Sequence, residues 1–322
     1  MATTNLWDEF ALRTEAGASD LELAVRAVIN NGPLAPIIPW VNIGSMAYPY
    51  AMDDELPVVG PRLFNEENAT GKGTYLPQTE IVKIYGADIE TDVSQLALQG
   101  PGVHARSIEQ TARAIRLEAE AGFVRGNSAL TQGRSMDGLA TKLPRNGPAS
   151  QAIANHSTGA GLSLAALDEL INEVDAEADA KRLIVPRKMI PRFIAASRST
   201  GIAGTVNFDM NSMGRRVGFY GDVEIIATDV DSQNVPIQGF NEPGDTCSIY
   251  CVALGEGMVS GIQGPSLDEN RQPVEGLVVY DVGESNKTPT MLTRISWHIA
   301  MVIETRRAAA RLFNITDAAF TA

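Results

Sequence analysis

The stretch from Ser107 to Asn127, SIEQTARAIRLEAEAGFVRGN, carries the reading of the fold. Ile108, Ala112, Ile115, Ala119 and Gly122 recur at steps of four and three, the spacing of one face of a long helix. Ser107 with Gln110 three residues on has the form of a capping box, and Gly126-Asn127 supplies a stop, so a helix is expected over about 105–127. Glu109 and Arg113 are placed for an i,i+4 pair, which marks the opposite face as solvated or as a contact with another chain.

Before this helix lies a segment of different character. A short helix is expected from a capping box at Ser19 and Glu22, with Leu21, Ala24, Val25, Val28 and Ile29 on one face and Asn30-Asn31-Gly32-Pro33 as its end. From Leu34 to Asp92 the chain reads as extended, with Pro36 to Val41 on one side and Tyr75 to Tyr85 on the other. Between them lies a tip rich in acid, Pro and Gly from Asp53 to Gly73. Pro57, Pro61 and Pro77 suit edge strands, so the segment predicts a long projecting hairpin.

After the helix, Leu130 to Gly161 is loop-like. Leu164, Leu167, Ile171, Val174 and Ala178 then predict an amphipathic helix, Leu183 to Val185 a buried strand, and Met189 to Ser197 a second helix. Strands follow at Val223–Thr228, Cys247–Leu254 and Leu277–Val282. A long alternating strand places Ile295, Trp297, Ile299, Met301 and Ile303 on one face.

Composition bounds the function. The 322 residues are 44% hydrophobic and 20% charged, enough for a real core, and no run approaches the length of a membrane helix. A net charge of −13 gives no broad attraction to phosphate backbones, although enclosing nucleic acid without gripping it remains compatible with that balance. Cys247 and Cys251 lie four apart in a strand, about 13 Å between alpha carbons, too far to bridge, and read as buried structural thiols. The three histidines are scattered singly, so no metal set is expected.

Gly71-Lys72-Gly73-Thr74 fails as a phosphate loop because Glu66 stands at the leading glycine position. Neither a nucleophile elbow nor a dinucleotide fingerprint occurs. Asp53, Asp54, Glu55, Glu66 and Glu67 read as a solvated charge run in a hairpin tip and not as a paired-carboxylate or metal site. No catalytic group, cofactor site or metal site is expected, and the chain is read as a non-enzyme.

The order of elements resembles the Hong Kong 97-type major capsid protein of tailed bacteriophages. Leu63 to Glu67, then Tyr75-Leu76-Pro77 and a strand ending at Ile89 to Ser94, is similar to that family's second hairpin strand running into its long helix. Phe123 to Asn127 followed by Met136-Asp137-Gly138-Leu139 resembles the helix end and the turn after it. Arg182 to Arg198 and Gly221 to Asp229 are similar to the strands and helix of the axial domain, except that Glu224 replaces a small or apolar residue.

The resemblance implies an α+β capsid fold. It comprises an N-terminal arm (1–33), an extended loop (34–92), a peripheral domain (93–160 and 270–322) holding the spine helix, and an axial domain (161–269). It implies a structural subunit that self-assembles into hexamers and pentamers of an icosahedral head, built in the host bacterial cytoplasm and found in the virion, enclosing double-stranded DNA. The family often carries an N-terminal scaffolding region of about a hundred residues, for which this chain has no room, so either a separate scaffolding protein or a mature-form sequence is expected, with Met1 favouring the separate scaffold. Portal and decoration proteins are the other partners implied.

An encapsulin-type compartment shell, which shares the fold and encloses protein cargo, is the first alternative. An α/β enzyme centred on Leu164 to Leu254 is the second. From Ala51 to Gln95, nine acidic residues face Arg62, Lys72 and Lys83, a local charge of −6. In the family the extended loop lies across an adjacent subunit, so Asp53, Asp54, Glu55, Glu66 and Glu67 are expected to meet a neighbour's Arg113, Arg116, Arg306 and Arg307. Lys72 is the one loop lysine placed for the inter-subunit cross-link that some members form.

Overall fold

The computed structural model describes residues 3–16, 18–55, 57–68, 70–148, 151–177, 180–198, 206–210, 216–268, 271–285 and 288–321. In chain order, two helices, α1 (Leu6–Glu15) and α2 (Asp20–Ile29), precede strand β1 (Trp40–Asn42). Then come β2 (Ala47–Glu55), β3 (Thr74–Ile81), β4 (Lys83–Asp92), the short α3 (Val93–Gln99) and the long α4 (Gly102–Arg125). Next are α5 (Leu139–Lys142), β5 (Ala152–Ala154), α6 (Leu164–Glu173), β6 (Lys181–Pro186), α7 (Ile190–Ser197), β7 (Val206–Met210), β8 (Arg216–Tyr220) and β9 (Val223–Thr228). The chain finishes with β10 (Cys247–Ala253), β11 (Val259–Gln263), β12 (Pro265–Leu267), β13 (Pro273–Glu275), β14 (Leu277–Glu284), β15 (Thr290–Ile303) and β16 (Ala309–Ile315).

Among the described residues β2–β3 and β12–β13 each form a two-stranded sheet of their own, and two large sheets organise most of the other elements. The first is built on β15, whose one edge pairs along its length with β4, from Thr290↔Asp92 to Ile299↔Lys83. The other edge is shared by β14 and β11, and β1 adds to β11 in parallel. From Ala300 to Ile303 both faces of β15 are buried, whereas as far as Ile299 the expected alternation holds, with Ile295, Trp297 and Ile299 buried and Ser296 and His298 half-exposed. That buried face meets α4 and α2 in one core containing Ile108, Ala112, Ile115, Ala119, Trp40 and Trp297. The second sheet has the order β5-β16-β10-β6-β9-β8-β7. Residues of β6, β10 and β16 together with α6 and α7 form a separate core around Leu167, Leu170, Met189, Phe193 and Ile249.

Several expectations need correction. Two N-terminal helices form where one is expected; Asn5 caps the first by accepting the Trp7 N–H, and Ser19 caps the second by accepting that of Glu22. The long helix begins at Gly102, after Gly100 turns the chain with a positive φ of 82°. Ser107 therefore sits inside the first turns and its hydroxyl donates to Val103 O at 3.1 Å, so Ser107 and Gln110 are not a capping box. Glu109 and Arg113 are both exposed on this helix and form no ion pair with each other. The first arm of the hairpin is β2, not Pro36 to Val41, whose Trp40 and Val41 belong to β1. α6 ends at Glu173, and Ala178 lies outside the described residues.

Segment boundaries expected at 160 and 269 do not follow the sheets. β5 and β16 join the sheet of β6, β9 and β10, whereas β11 joins that of β15. At the end of α4, Gly126 and Gly138 let two backbones touch. A Cβ on Gly126 would lie 2.3 Å from Met136 O, and one on Gly138 would lie 2.5 Å from Gly122 O. The Asp137 carboxylate fixes the same turn by accepting from Ser128 N at 2.7 Å and from its hydroxyl at 3.0 Å.

The N-terminal helices are tied down by a buried polar network. Arg26 donates to Glu9 Oε1 at 2.8 Å, to Glu22 Oε1 at 2.9 Å and to Leu277 O at 2.6 Å. Gln263 donates to Glu9 Oε2 at 3.0 Å and accepts from the Trp297 indole at 2.9 Å. A buried guanidinium and carboxylate are tolerated because each hydrogen-bonding group finds a partner.

Candidate assembly surface

Among the described residues β2 and β3 pair only with each other, from Ala47↔Ile81 to Glu55↔Thr74, so they leave the body as a two-stranded ribbon. Its base is fixed: the Val82 N–H donates to Met46 O at 3.1 Å, Tyr48 Oη donates to Glu304 at 3.0 Å, and Glu80 pairs with Lys142. Burial, with Glu80 and Glu304 near, pushes the Tyr50 hydroxyl up to about 12, and burial with the Glu304 bond raises Tyr48 as well, so Tyr48 and Tyr50 stay neutral at ordinary pH. Pro49 and Pro77 sit within these strands, as a ribbon without further neighbours permits.

Beyond the ribbon the tip is ordered by local contacts. Glu66 accepts from Leu63 N at 2.8 Å, Arg62 donates to Glu66 O at 2.9 Å, and Asn65 takes a left-handed φ of 64°. A Cβ on Gly71 would lie 2.6 Å from Val58 N, so the two sides of the tip approach closely there. The tip nevertheless buries almost nothing. Phe64 is fully exposed and Val59 is 86% exposed; Val58, Leu63 and Tyr75 are also exposed. A lone subunit gains nothing by showing this much apolar surface at the end of a ribbon, whereas a partner that covers it gains its transfer free energy.

The acidic residues expected on this surface divide. Glu66 and Glu67 are exposed near the tip, while the side chains of Asp53, Asp54 and Glu55 lie outside the described residues. Asp88 is engaged within the subunit by a two-pronged Arg294 contact of 2.6 and 2.7 Å, which holds its carboxyl below the usual range. Asp92 caps α3 by accepting from Ser94 N. Of the arginines, Arg113 is exposed on α4, while Arg116 is half-buried and donates to Val28 O at 3.3 Å. Arg306 is half-buried, and Arg307 is exposed with Asp175 at 3.6 Å. Arg311 is buried against Glu242, Ser248 and Leu143 O, so its charge is spent inside the subunit. Lys72 is exposed between Gly71 and Gly73.

Among the described residues no group of three or more His, Cys, Asp or Glu could hold a metal. A cleft of about 650 Å³ beside the end of α4 contains Glu118 and Arg125, which contact Ser232 and Asp231. The His104 ring bonds Thr91 and Thr293 at 2.8 Å each, a structural role between α4, β4 and β15. His298 Nδ1 lies 2.5 Å from Pro265 O. Cys247 and Cys251 are buried free thiols, pushed up to about 12 by burial.

The apolar residues of the tip, and not only its acids, are the exposed functional feature that the sequence reading misses. Their signal in the sequence is that Val58, Val59, Leu63 and Phe64 have no periodic partner that would bury them.

No protein-family model matches the chain, and no curated protein matches it in sequence. Solved structures do match in fold. The holo-SrpI encapsulin complex from Synechococcus elongatus superposes with a TM-score of 0.62 at 16% identity, covering 88% of each chain. The capsid of the native GTA particle gives 0.59 at 15% identity, covering 87% of this chain and 89% of that one. A chain of Mycobacterium phage Adephagia gives 0.58 at 14% identity, covering 89% and 90%.

Proposed function

We propose that this chain, whose fold is the Hong Kong 97-type capsid fold, is the major capsid subunit of a tailed bacteriophage head, assembling with copies of itself into hexamers and pentamers around double-stranded DNA. The observation that carries the reading is the projecting β2–β3 ribbon with its exposed apolar tip. Such an excursion is stable in use when a neighbouring copy covers it, and identical copies arranged around closed symmetry each cover one.

In this reading the peripheral region is built on β15 and α4, and the axial region on the seven-stranded sheet. The tip docks across the peripheral region of the next subunit. Glu66, Glu67 and the Asp53 to Glu55 run face arginines there, of which Arg113 and Arg307 are exposed; Lys72 reaches the same contact. A separate scaffolding protein and a portal protein complete the assembly, and decoration proteins bind its outside.

Particle contents separate this reading from an encapsulin-type shell. Particles purified after nuclease treatment should protect double-stranded DNA when made during infection. Particles that protect no DNA but hold a folded protein cargo would contradict the phage-head reading and favour the compartment.

A further inference from the structure

The connector between α2 and β1 (residues 30–39) crosses α4 where that helix carries Arg116 and Glu120, one turn apart. Arg116 Nη1 donates to Val28 O at 3.3 Å, and Glu120 Oε1 accepts from Leu34 N at 3.3 Å. Glu120 is only 2% exposed. Its approach to the connector depends on Gly32, where a Cβ would lie 2.1 Å from Oε1. The pair is incompletely satisfied, because Glu120 Oε2 and Arg116 Nε are both buried without a hydrogen-bond partner. Beside Glu120 is a cavity of about 10 Å³ walled by Ala35, Ile38, Trp40, Phe123, Trp297 and Ala300, barely one water in size.

A carboxylate buried with one oxygen unmatched pays most of its hydration, whereas a neutral carboxyl pays little. Burial pushes Glu120 up to about 7. The Arg116 guanidinium and the N–H groups of Leu34 and Ala35 oppose the shift, and Asp229, from the segment after β9, adds to it. Charged groups facing Glu120 are thus Arg116 on its own helix and Asp229 across from it; the connector has no titratable residue.

We propose that Glu120 is a pH-operated latch for the N-terminal helices: it seats the connector on α4 as a neutral carboxyl, and its ionisation loosens the connector. This inference does not depend on the shell reading, since the latch lies inside one subunit. The seated state binds the proton more tightly than the opened one. Its extra stability is therefore complete below the ordinary carboxyl value of 4.5 and is lost as pH rises to about 7, levelling off above.

Hydrogen exchange of the full chain, read by mass spectrometry from pH 5 to 8 and corrected for intrinsic rates, tests it. Protection of residues 28–38 relative to β10 should fall by up to about tenfold per pH unit below 7 and then level off. Glu120→Gln, which keeps an acceptor for Leu34 N, should abolish that slope. An unchanged slope in Glu120→Gln, or no slope in the wild type, overturns the latch. Should the variant misfold, carboxyl carbon-13 titration of wild-type Glu120 decides: a midpoint near 7 supports the proposal, and one near 4.5 refutes it.

Discussion

Replacing Phe64 by Ser tests whether the ribbon tip exists for a neighbour. The ring is fully exposed in the single subunit and touches no core, so folding stability should change by less than about 0.5 kcal/mol. In an assembly that covers the tip, burying a Phe side chain contributes about 1.5–3 kcal/mol. Losing about 2 kcal/mol at one docking contact weakens it roughly 30-fold, since 1.4 kcal/mol is a factor of ten. Every subunit of a ring contributes one tip, so the concentration at which particles form should rise by at least that factor. Light scattering against protein concentration reads the assembly threshold, and thermal unfolding of the unassembled chain reads the fold. An unchanged threshold would refute tip docking. A melting temperature several degrees lower would show that Phe64 packs within its own subunit, against the exposure described.

Four further outcomes are expected. Reversing Asp53, Asp54 and Glu55 to lysine should leave the monomer folded but impair assembly, most clearly at low salt where exposed charges are least screened; normal particles in low salt would remove the acidic run from the contact. Arg26→Met strands buried Glu9 and should cost about 3–5 kcal/mol in denaturant unfolding, while a loss below about 1 kcal/mol would show that the network holds nothing. Gly122→Ala brings a Cβ to 2.3 Å from Tyr85 Oη and should lower stability by about 1–3 kcal/mol, part of which Tyr85→Phe should restore; an additive pair would contradict this packing. Without reductant, Cys247 and Cys251 should resist alkylation in the native chain and both react once it is denatured; a disulfide between them would contradict the β10 geometry.

What the sequence shows and hides follows from the physics of each element. β15 and α4 are legible because each buries one face over many residues, so the periods of two and of four and three survive local noise. The start of α4 is misread because Ser107 followed by Gln110 imitates a cap, while Gly100 and Pro101, which do begin the helix, offer no side-chain cap. α1 escapes notice because the face it buries includes Glu9, which a polarity pattern assigns to water. Glu22 with Arg26, and Arg116 with Glu120, look like solvated i,i+4 pairs; only tertiary packing reveals Arg26 and Glu120 as buried. The place of β16 is hidden for another reason, since its partners β5 and β10 are far away in sequence and strand order carries no local signal. On the tip, proline and charge mark the hairpin, but nothing in the local pattern distinguishes the exposed Phe64 and Val59 from residues that fold into a core.

The most direct test of a shell-forming subunit is electron microscopy with mass measurement of the purified chain across concentration and ionic strength, with scaffold supplied where needed. Closed shells, or free pentamers and hexamers, are expected. A chain that stays strictly monomeric under every condition, with scaffold present, would contradict assembly as its function.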